Sequence, residues 1–136
     1  MFELLIIFQI KHFLADYPLQ NEYMLRKFLP DNKYILPLLT HSFVHALFTF
    51  LITITYTKNL SLAFSLALLD LTIHFIVDRI KASPKLLGRF QALTKKDFMN
   101  GVTEEQKKSN KLFWWSLGLD QTAHHLTHYL IIYLIL

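Results

Sequence analysis

YILPLLTHSFVHALFTFLITITYT, residues 34–57, runs for 24 residues without one charged side chain. At 1.5 Å rise per residue a helix of that length covers about 36 Å, more than the ~30 Å hydrocarbon core of a bilayer. The stretch reads as a membrane-crossing helix, and the remaining segments arrange themselves around it. Leu60–Ile80 is a second apolar stretch, interrupted only by Asp70, His74, Asp78 and Arg79. Leu112–Leu136 is a third, with Asp120 its only formal charge. Residues 1–17 are weaker, because Glu3, Gln9, Lys11, His12 and Asp16 interrupt them, but Leu, Ile and Phe predominate and Pro18 closes the run. No positive residue precedes this segment and no small-residue cleavage site follows it, so it is expected to be a span and not a cleaved signal.

Composition agrees. Hydrophobic residues make up 53% of the 136 and charged ones 18%, below the roughly one quarter of ordinary soluble domains. The absence of cysteine excludes disulfides, thiolate metal sites and cysteine nucleophiles, so any metal would be held by nitrogen and oxygen. The expected architecture is all-α. It is a single transmembrane domain, 1–136, forming an integral membrane four-helix bundle with helices near 2–17, 35–57, 60–80 and 112–135. A soluble bundle with very apolar core helices is the competing reading; the uncharged 34–57 stretch and the one-sided basic residues oppose it.

Charge placement orients the four spans. Arg26, Lys27, Lys33, Lys81 and all the basic residues of 82–111 fall on one side, and Lys58 stands alone on the other. By the positive-inside rule the basic side is cytoplasmic, with both termini on the non-cytoplasmic side and 81–111 a longer cytoplasmic loop. Trp114 and Trp115 stand where that loop re-enters the bilayer, as an aromatic belt requires. Leu86, Leu87, Phe90, Leu93 and Phe98 among the loop lysines predict a helix lying on anionic headgroups. Thr103–Gln106 has the form of a capping box. Nothing motif-like supports nucleic-acid binding.

Each span carries polar residues four apart, hence on one face: His12, Asp16 and Gln20; His41 and His45; Asp70, His74 and Asp78; Asp120, His124 and His128. An up-down-up-down chain brings these stripes to one level in the cytoplasmic half. Carboxylates in a membrane helix cost on the order of 2.5–3.5 kcal/mol each and therefore face inward to partners. Two arrangements satisfy them: an ion-free Asp–His network, or imidazoles and carboxylates converging on one or two divalent ions, with spare acids orienting the rings. The metal arrangement is the expected one, with Zn or Mn/Fe not distinguishable. Its ligand candidates are His12, Asp16, His41, His45, His74, Asp78, Asp120 and His124. Asp70 and His128, a turn deeper, suit a metal role or a helix–helix hydrogen bond equally. His125 is expected to pack or snorkel, and Lys11 to snorkel to the headgroups. Gln20, Lys81 and Gln121 are candidate substrate-binding groups. Arg79 and Lys81 could hold a phosphate at the mouth, although basic residues at such a boundary are usually topology signals.

Four stretches, KHFLADYPLQ, THSFVHALFTFL, HFIVDRIKA and LDQTAHHLTHYL, occur in that order. Together they resemble the domain of unknown function 3307 family of small bacterial and phage membrane proteins. Its pattern of H-x3-D-x3-Q, H-x3-H, H-x3-D-x2-K and D-Q-x2-H falls here on His12, Asp16 and Gln20; His41 and His45; His74, Asp78 and Lys81; Asp120, Gln121 and His124. The resemblance implies a bacterial inner-membrane protein, bacterial or phage-encoded, and carries no activity with it. Asp70, His125 and His128 lie outside the pattern.

From the site itself, the leading expectation is a metal-dependent hydrolase acting on a lipid or other membrane-proximal ester or phosphoester at the cytoplasmic leaflet. Asp16, Asp78 and Asp120 are its candidate acid–base groups. The rival is a non-enzymatic channel or transporter passing protons or metal ions through the same cluster. Haem between two histidines is a third reading, for which the carboxylates are poor company. Membrane lipids are the expected partners, and the sequence is compatible with an oligomer.

Overall fold

A computed structural model of the chain describes residues 2–29, 31–83 and 111–136. Every regular element among them is helical. Helix α1 is Phe2–Asp16, α2 is Glu22–Leu25, α3 is Ile35–Thr57, α4 is Leu60–Ala82 and α5 is Lys111–Ile135. Short 3-10 turns, Arg26–Phe28 and Asp31–Tyr34, link α2 to α3. The surface-helix and capping-box readings for 84–110 lie outside the described residues.

Local chemistry sets the boundaries. Pro18 ends α1, and Asn21 opens α2 by accepting the Met24 N–H at 3.0 Å. Pro37 is tolerated in the first turn of α3, where its missing N–H would have no helical partner anyway. Helix α3 stops at Lys58, whose φ of 54° is left-handed, and Asn59 then caps α4 by accepting the Leu62 N–H at 3.0 Å. Two residues thus reverse the chain and lay α4 along α3. The 18–33 connection does more than connect: α2 and the turn after it fold against α3, and that turn also touches α4.

Helix α1 packs on α3 and α5, and α4 packs on α3 and α5, so the four long helices surround a common interior. Consecutive long helices run in opposite directions, since Asp16 at the end of α1 meets His45 near the start of α3 and Lys81 at the end of α4 meets Asp120 of α5. At the opposite end Glu3 and Tyr56 meet.

The distribution of side chains is inverted relative to a water-soluble bundle. The interior holds Lys11, His12, His41, His45, Thr49, Asp70, His74, Asp78, Asp120, His124 and His128, all buried, while Phe43, Leu47, Leu51, Phe64, Leu68 and Ile76 are exposed. An apolar cluster lies toward the end away from Asp16, where Leu4, Phe8, Leu66, Ile131 and Ile132 pack together. Exposed hydroxyls of Thr40, Thr55, Ser65, Thr72 and Thr122 donate to the carbonyl four residues earlier in their own helices. Their polarity is absorbed by the backbone and not offered outward.

Among the described residues two stretches, Asn32–Thr57 and Leu60–Ala82, are long and apolar enough to cross a membrane, with mean hydropathies of 1.8 and 2.0. The sequence predicts four such spans. On this measure α1 is short, at 15 residues, and α5 is diluted by Asp120, Gln121 and its three histidines. Because the Asn59 cap holds the reversal between the two apolar helices, Asn59→Ala is expected to cost about 1 kcal/mol of stability. Unfolding of the purified protein measures it, and an unchanged midpoint would assign the turn to packing alone.

Candidate functional site

The stripes meet. Asp16 is the hub: its Oδ1 accepts from His45 Nε2 at 2.9 Å and lies 3.4 Å from His41 Nε2, and its Oδ2 lies 3.1 Å from His12 Nε2. Gln121 spans α5 and α1, with its Oε1 3.0 Å from His12 Nε2 and its Nε2 donating to Asp16 Oδ2 at 3.5 Å and to Asp120 Oδ2 at 3.2 Å. His124 Nε2 lies between Asp78 Oδ1 at 3.6 Å and Asp120 Oδ1 at 3.5 Å. His41 Nε2 lies between Asp16 and, at 3.3 Å, Asp78 Oδ2. His74 stacks between His45 and His124, with ring centroids 3.9 and 4.1 Å apart, and its Nδ1 reaches Asp70 Oδ1 at 2.9 Å.

Counter-charges separate the four carboxylates. Asp70 is bound by Lys11 Nζ, Asp78 by Lys27 Nζ and Asp120 by Lys81 Nζ, each at 2.7 Å. Among the described residues Asp16 alone has only imidazoles as ionic partners. It is also the carboxylate most open to the outside, its side chain 18% exposed against 3% or less for the others.

The imidazoles share a pattern. His12, His41, His45, His74 and His124 each turn one ring nitrogen to a carboxylate, and the other nitrogen of each is buried with no hydrogen-bond partner. A carboxylate beside a ring nitrogen fixes the proton there, leaving a lone pair on the other. The fit to a cation can be tested on the donors. Potential ligand atoms lie within 4.8 Å of one another in three groups: His12, Asp16 and His45; Asp78, Asp120 and His124; and His12, His74 and His128. Ligands about 2.0–2.1 Å from a tetrahedral ion sit about 3.3 Å from one another, so small side-chain adjustments suffice to close a group. Nitrogen and oxygen donors without thiolate suit Zn, Mn or Fe. The residues fit.

A cavity of about 190 Å³ leads from the outside to this cluster, lined by Asp16, Tyr17, Gln20, Lys27, Lys81 and Gln121. Of the expected substrate-binding groups, Lys81 and Gln121 therefore stand at the mouth. Gln20 does too, although its amide donates to the Asp16 backbone carbonyl at 3.0 Å and closes the end of α1. Arg79 is turned aside, its guanidinium 3.4 Å from the centre of the Tyr34 ring.

Two lysines depart from expectation. Lys11 does not snorkel: it is 2% exposed and its ammonium donates to Asp70 and lies 3.1 Å from His128 Nε2. With Thr49 donating to the same Asp70 oxygen at 2.6 Å, it links α1, α3, α4 and α5 a turn deeper than Asp16. Burial beside His12 on the inward face of α1 overrides its tendency to reach outward. Asp70 and His128 are thereby joined through Lys11 and not directly. Lys27, counted in the sequence only as a basic boundary residue, is buried at the mouth on Asp78. Its position depends on the fold of the 18–33 connection, which has no periodicity to reveal it. His125 stands apart from the cluster's centre, with Nδ1 3.3 Å from Gln9.

Inverted packing and a buried Asp–His centre define an all-helical protein built around a polar interior. The chain belongs to the family described as Protein of unknown function (DUF3307), whose model matches residues 4–136. No curated protein and no solved structure matches the chain significantly.

Breaking a buried ion pair by removing one partner costs about 3–5 kcal/mol. Lys11→Met is expected to destabilise by that order, and Lys11→Met/Asp70→Asn to regain most of it, because Asn still accepts from Thr49. Denaturant titration of the purified proteins measures the cycle; a loss in the single variant under about 1 kcal/mol would mean an exposed lysine.

Proposed function

We propose that this chain is an integral membrane metalloprotein of the inner membrane, a hydrolase of membrane-proximal esters or phosphoesters working at the cytoplasmic leaflet. The four long helices cross the bilayer with both termini outside, and the mouth beside Asp16 faces the cytoplasm. Exposed Leu and Phe around buried Asp, His and Lys support the membrane setting, since water outside would leave that distribution without a driving force. Lys27, Lys33 and Lys81 gather at the mouth end, as the positive-inside rule requires.

The single observation that carries the metal reading is Asp16 among its imidazoles: a half-buried carboxylate with no ammonium, whose oxygens lie within 3.4 Å of the Nε2 atoms of His12, His41 and His45. His12, Asp16 and His45 would hold one ion, with Asp78, Asp120 and His124 able to hold another. A bound divalent ion would acidify a water and polarise an ester or phosphoryl group. The chain's own contribution is positional. Gln121 fixes Asp16 and His12, Asp70 orients His74, and Lys27 and Lys81 face an anionic group entering the mouth. Asp16, the carboxylate nearest the outside, is the group placed to accept a proton from an attacking water.

A conduction path is less well supported. The polar column runs from Asp16 through His74 to Lys11 and Thr49, with the buried Thr53 hydroxyl a turn further on, and then meets the apolar cluster of Leu4, Phe8, Leu66, Ile131 and Ile132. A site closed at one end suits chemistry better than passage.

Elemental analysis of the protein purified in detergent is expected to find on the order of one Zn, Mn or Fe per chain, falling by tenfold or more in His45→Ala. Metal below about a tenth of that level in the native chain, unaltered in the variant, would end the metal reading. Hydrolysis of a chromogenic phosphodiester is expected to drop by roughly 10²–10⁴ in Asp16→Asn. Uptake of the same ion into proteoliposomes, without hydrolysis, would favour transport instead. For orientation, the cysteine-free chain allows single-cysteine labelling in intact cells: Lys58→Cys is expected to react with an impermeant maleimide and Lys33→Cys only after lysis. The reverse pattern would invert the topology.

A further inference from the structure

Beside the axial mouth there is a second way into the site. Helices α4 and α5 diverge around a cavity of about 240 Å³ lined by Val77, Ile80, Leu119 and Ala123, with Lys81 and Asp120 at its polar end. The walls are almost wholly apolar, and Ile80 and Leu119 are exposed on the outer face of the bundle. Ala123 and Ser116 on α5 leave the gap, because longer side chains there would fill it. Lys81 lines this groove and also the mouth cavity with Asp16, Lys27 and Gln121. The lysine therefore stands where a lateral apolar channel meets the polar centre.

The juxtaposition specifies a ligand with two chemistries. Something purely polar would enter through the mouth alone and gain nothing from Val77 and Ala123. A purely apolar molecule would have no reason to reach Lys81. Of the three donors on the Lys81 ammonium, the Asp120 bond uses one, leaving two for oxygen atoms of a ligand. Lys27, held by one bond to Asp78, faces the same mouth cavity. Each ammonium keeps N–H donors beyond its bond to Asp78 or Asp120, and two such sets of donors around a small opening match the several oxygens of a phosphate better than the single carbonyl oxygen of an ester.

We infer that the substrate of this site is a phospholipid, entering sideways between α4 and α5 with its acyl chain along Val77, Ile80 and Ala123 and its phosphate at Lys81. The assignment rests on the reading of the cluster as a hydrolase centre. It makes Lys81 a specificity-determining residue and Ala123 the residue that sets the width of the entrance. A second apolar cavity, between α3 and α4 at Phe43, Leu47, Phe64 and Ala67, has no charged group at either end and serves as its internal comparison.

Native mass spectrometry of the detergent-purified protein, titrated with long-chain phosphatidic acid, tests this. One lipid per chain is expected to bind, and diacylglycerol, which lacks the phosphate, to bind on the order of tenfold more weakly. Lys81→Gln is expected to erase that difference. Ala123→Phe, which fills the groove, is expected to abolish binding of both, with Ala123→Leu as a milder filling should the larger side chain prevent folding. Ala67→Phe is expected to leave binding unchanged. Inorganic phosphate in excess is expected not to displace the lipid; displacement would place the ligand in the axial mouth and overturn lateral entry. Equal binding of the two lipids by the native chain, or unchanged binding in Lys81→Gln together with both Ala123 variants, also overturns the inference. Metal content, measured on the same samples, separates this inference from the reading beneath it. Metal without the lipid pattern sinks the inference alone, and the lipid pattern without metal sinks the hydrolase and leaves a lipid-binding site.

Discussion

A carboxylate taken out of water must find a counter-charge or a set of donors, and four of them share the interior of this small bundle. Everything else about the structure follows from how they are answered. Three are met by lysines from other helices or from the turn after α2, and the fourth by imidazoles. Each lysine pairing crosses between elements, as do those of Asp16 with His41 and His45, so the helices cannot slide or rotate past one another without stranding a charge. Such pairs are poor sources of net stability, because desolvation consumes much of the Coulomb gain. Their effect is to fix register among helices whose outer surfaces, covered with Leu, Ile and Phe, would tolerate many alternatives.

The division of the interior into two zones is the functional counterpart of that constraint. At one end, small apolar contacts close the bundle around Phe8 and Ile131. At the other, the side chains are short on apolar partners and rich in nitrogen and oxygen, and ring nitrogens are left with nothing to bond. Carboxylates answered by ammoniums in one layer, as Asp70 is by Lys11, and by imidazoles alone in the other, as Asp16 is, divide the polar interior in two. The Lys11, Thr49 and Asp70 cluster belongs to the first. It orients His74 from below, as a carboxylate behind a ligating histidine commonly does.

Much of this was legible in the order of residues. The four-residue spacing of Asp and His put each stripe on one helical face, and alternating chain direction put the stripes at one level. His45 meeting Asp16 and His124 meeting Asp78 follow from those two facts. The lysines were not legible. A lysine next to a polar stripe, as Lys11 is next to His12, can turn outward or inward, and only the neighbours on α4 and α5 decide. Lys27 depended on a connection whose turns are set by Pro18, Asn21 and packing against α3, with no repeating pattern to read. The groove between α4 and α5 was likewise hidden, since an alanine at 123 has meaning only when its opposite wall is known.

The three lysine–carboxylate pairs share a direction along the chain. Lys11 precedes Asp70, Lys27 precedes Asp78, and Lys81 precedes Asp120. A ribosome makes the chain from its N-terminus, so each of these acids emerges when its ammonium has already been synthesised. None of the three has to wait, uncompensated, for a later segment. Asp16 is the exception: His41 and His45 come after it, and until they arrive only His12 in its own helix is at hand. The one carboxylate made ahead of most of its partners is also the one that keeps no ammonium in the finished fold.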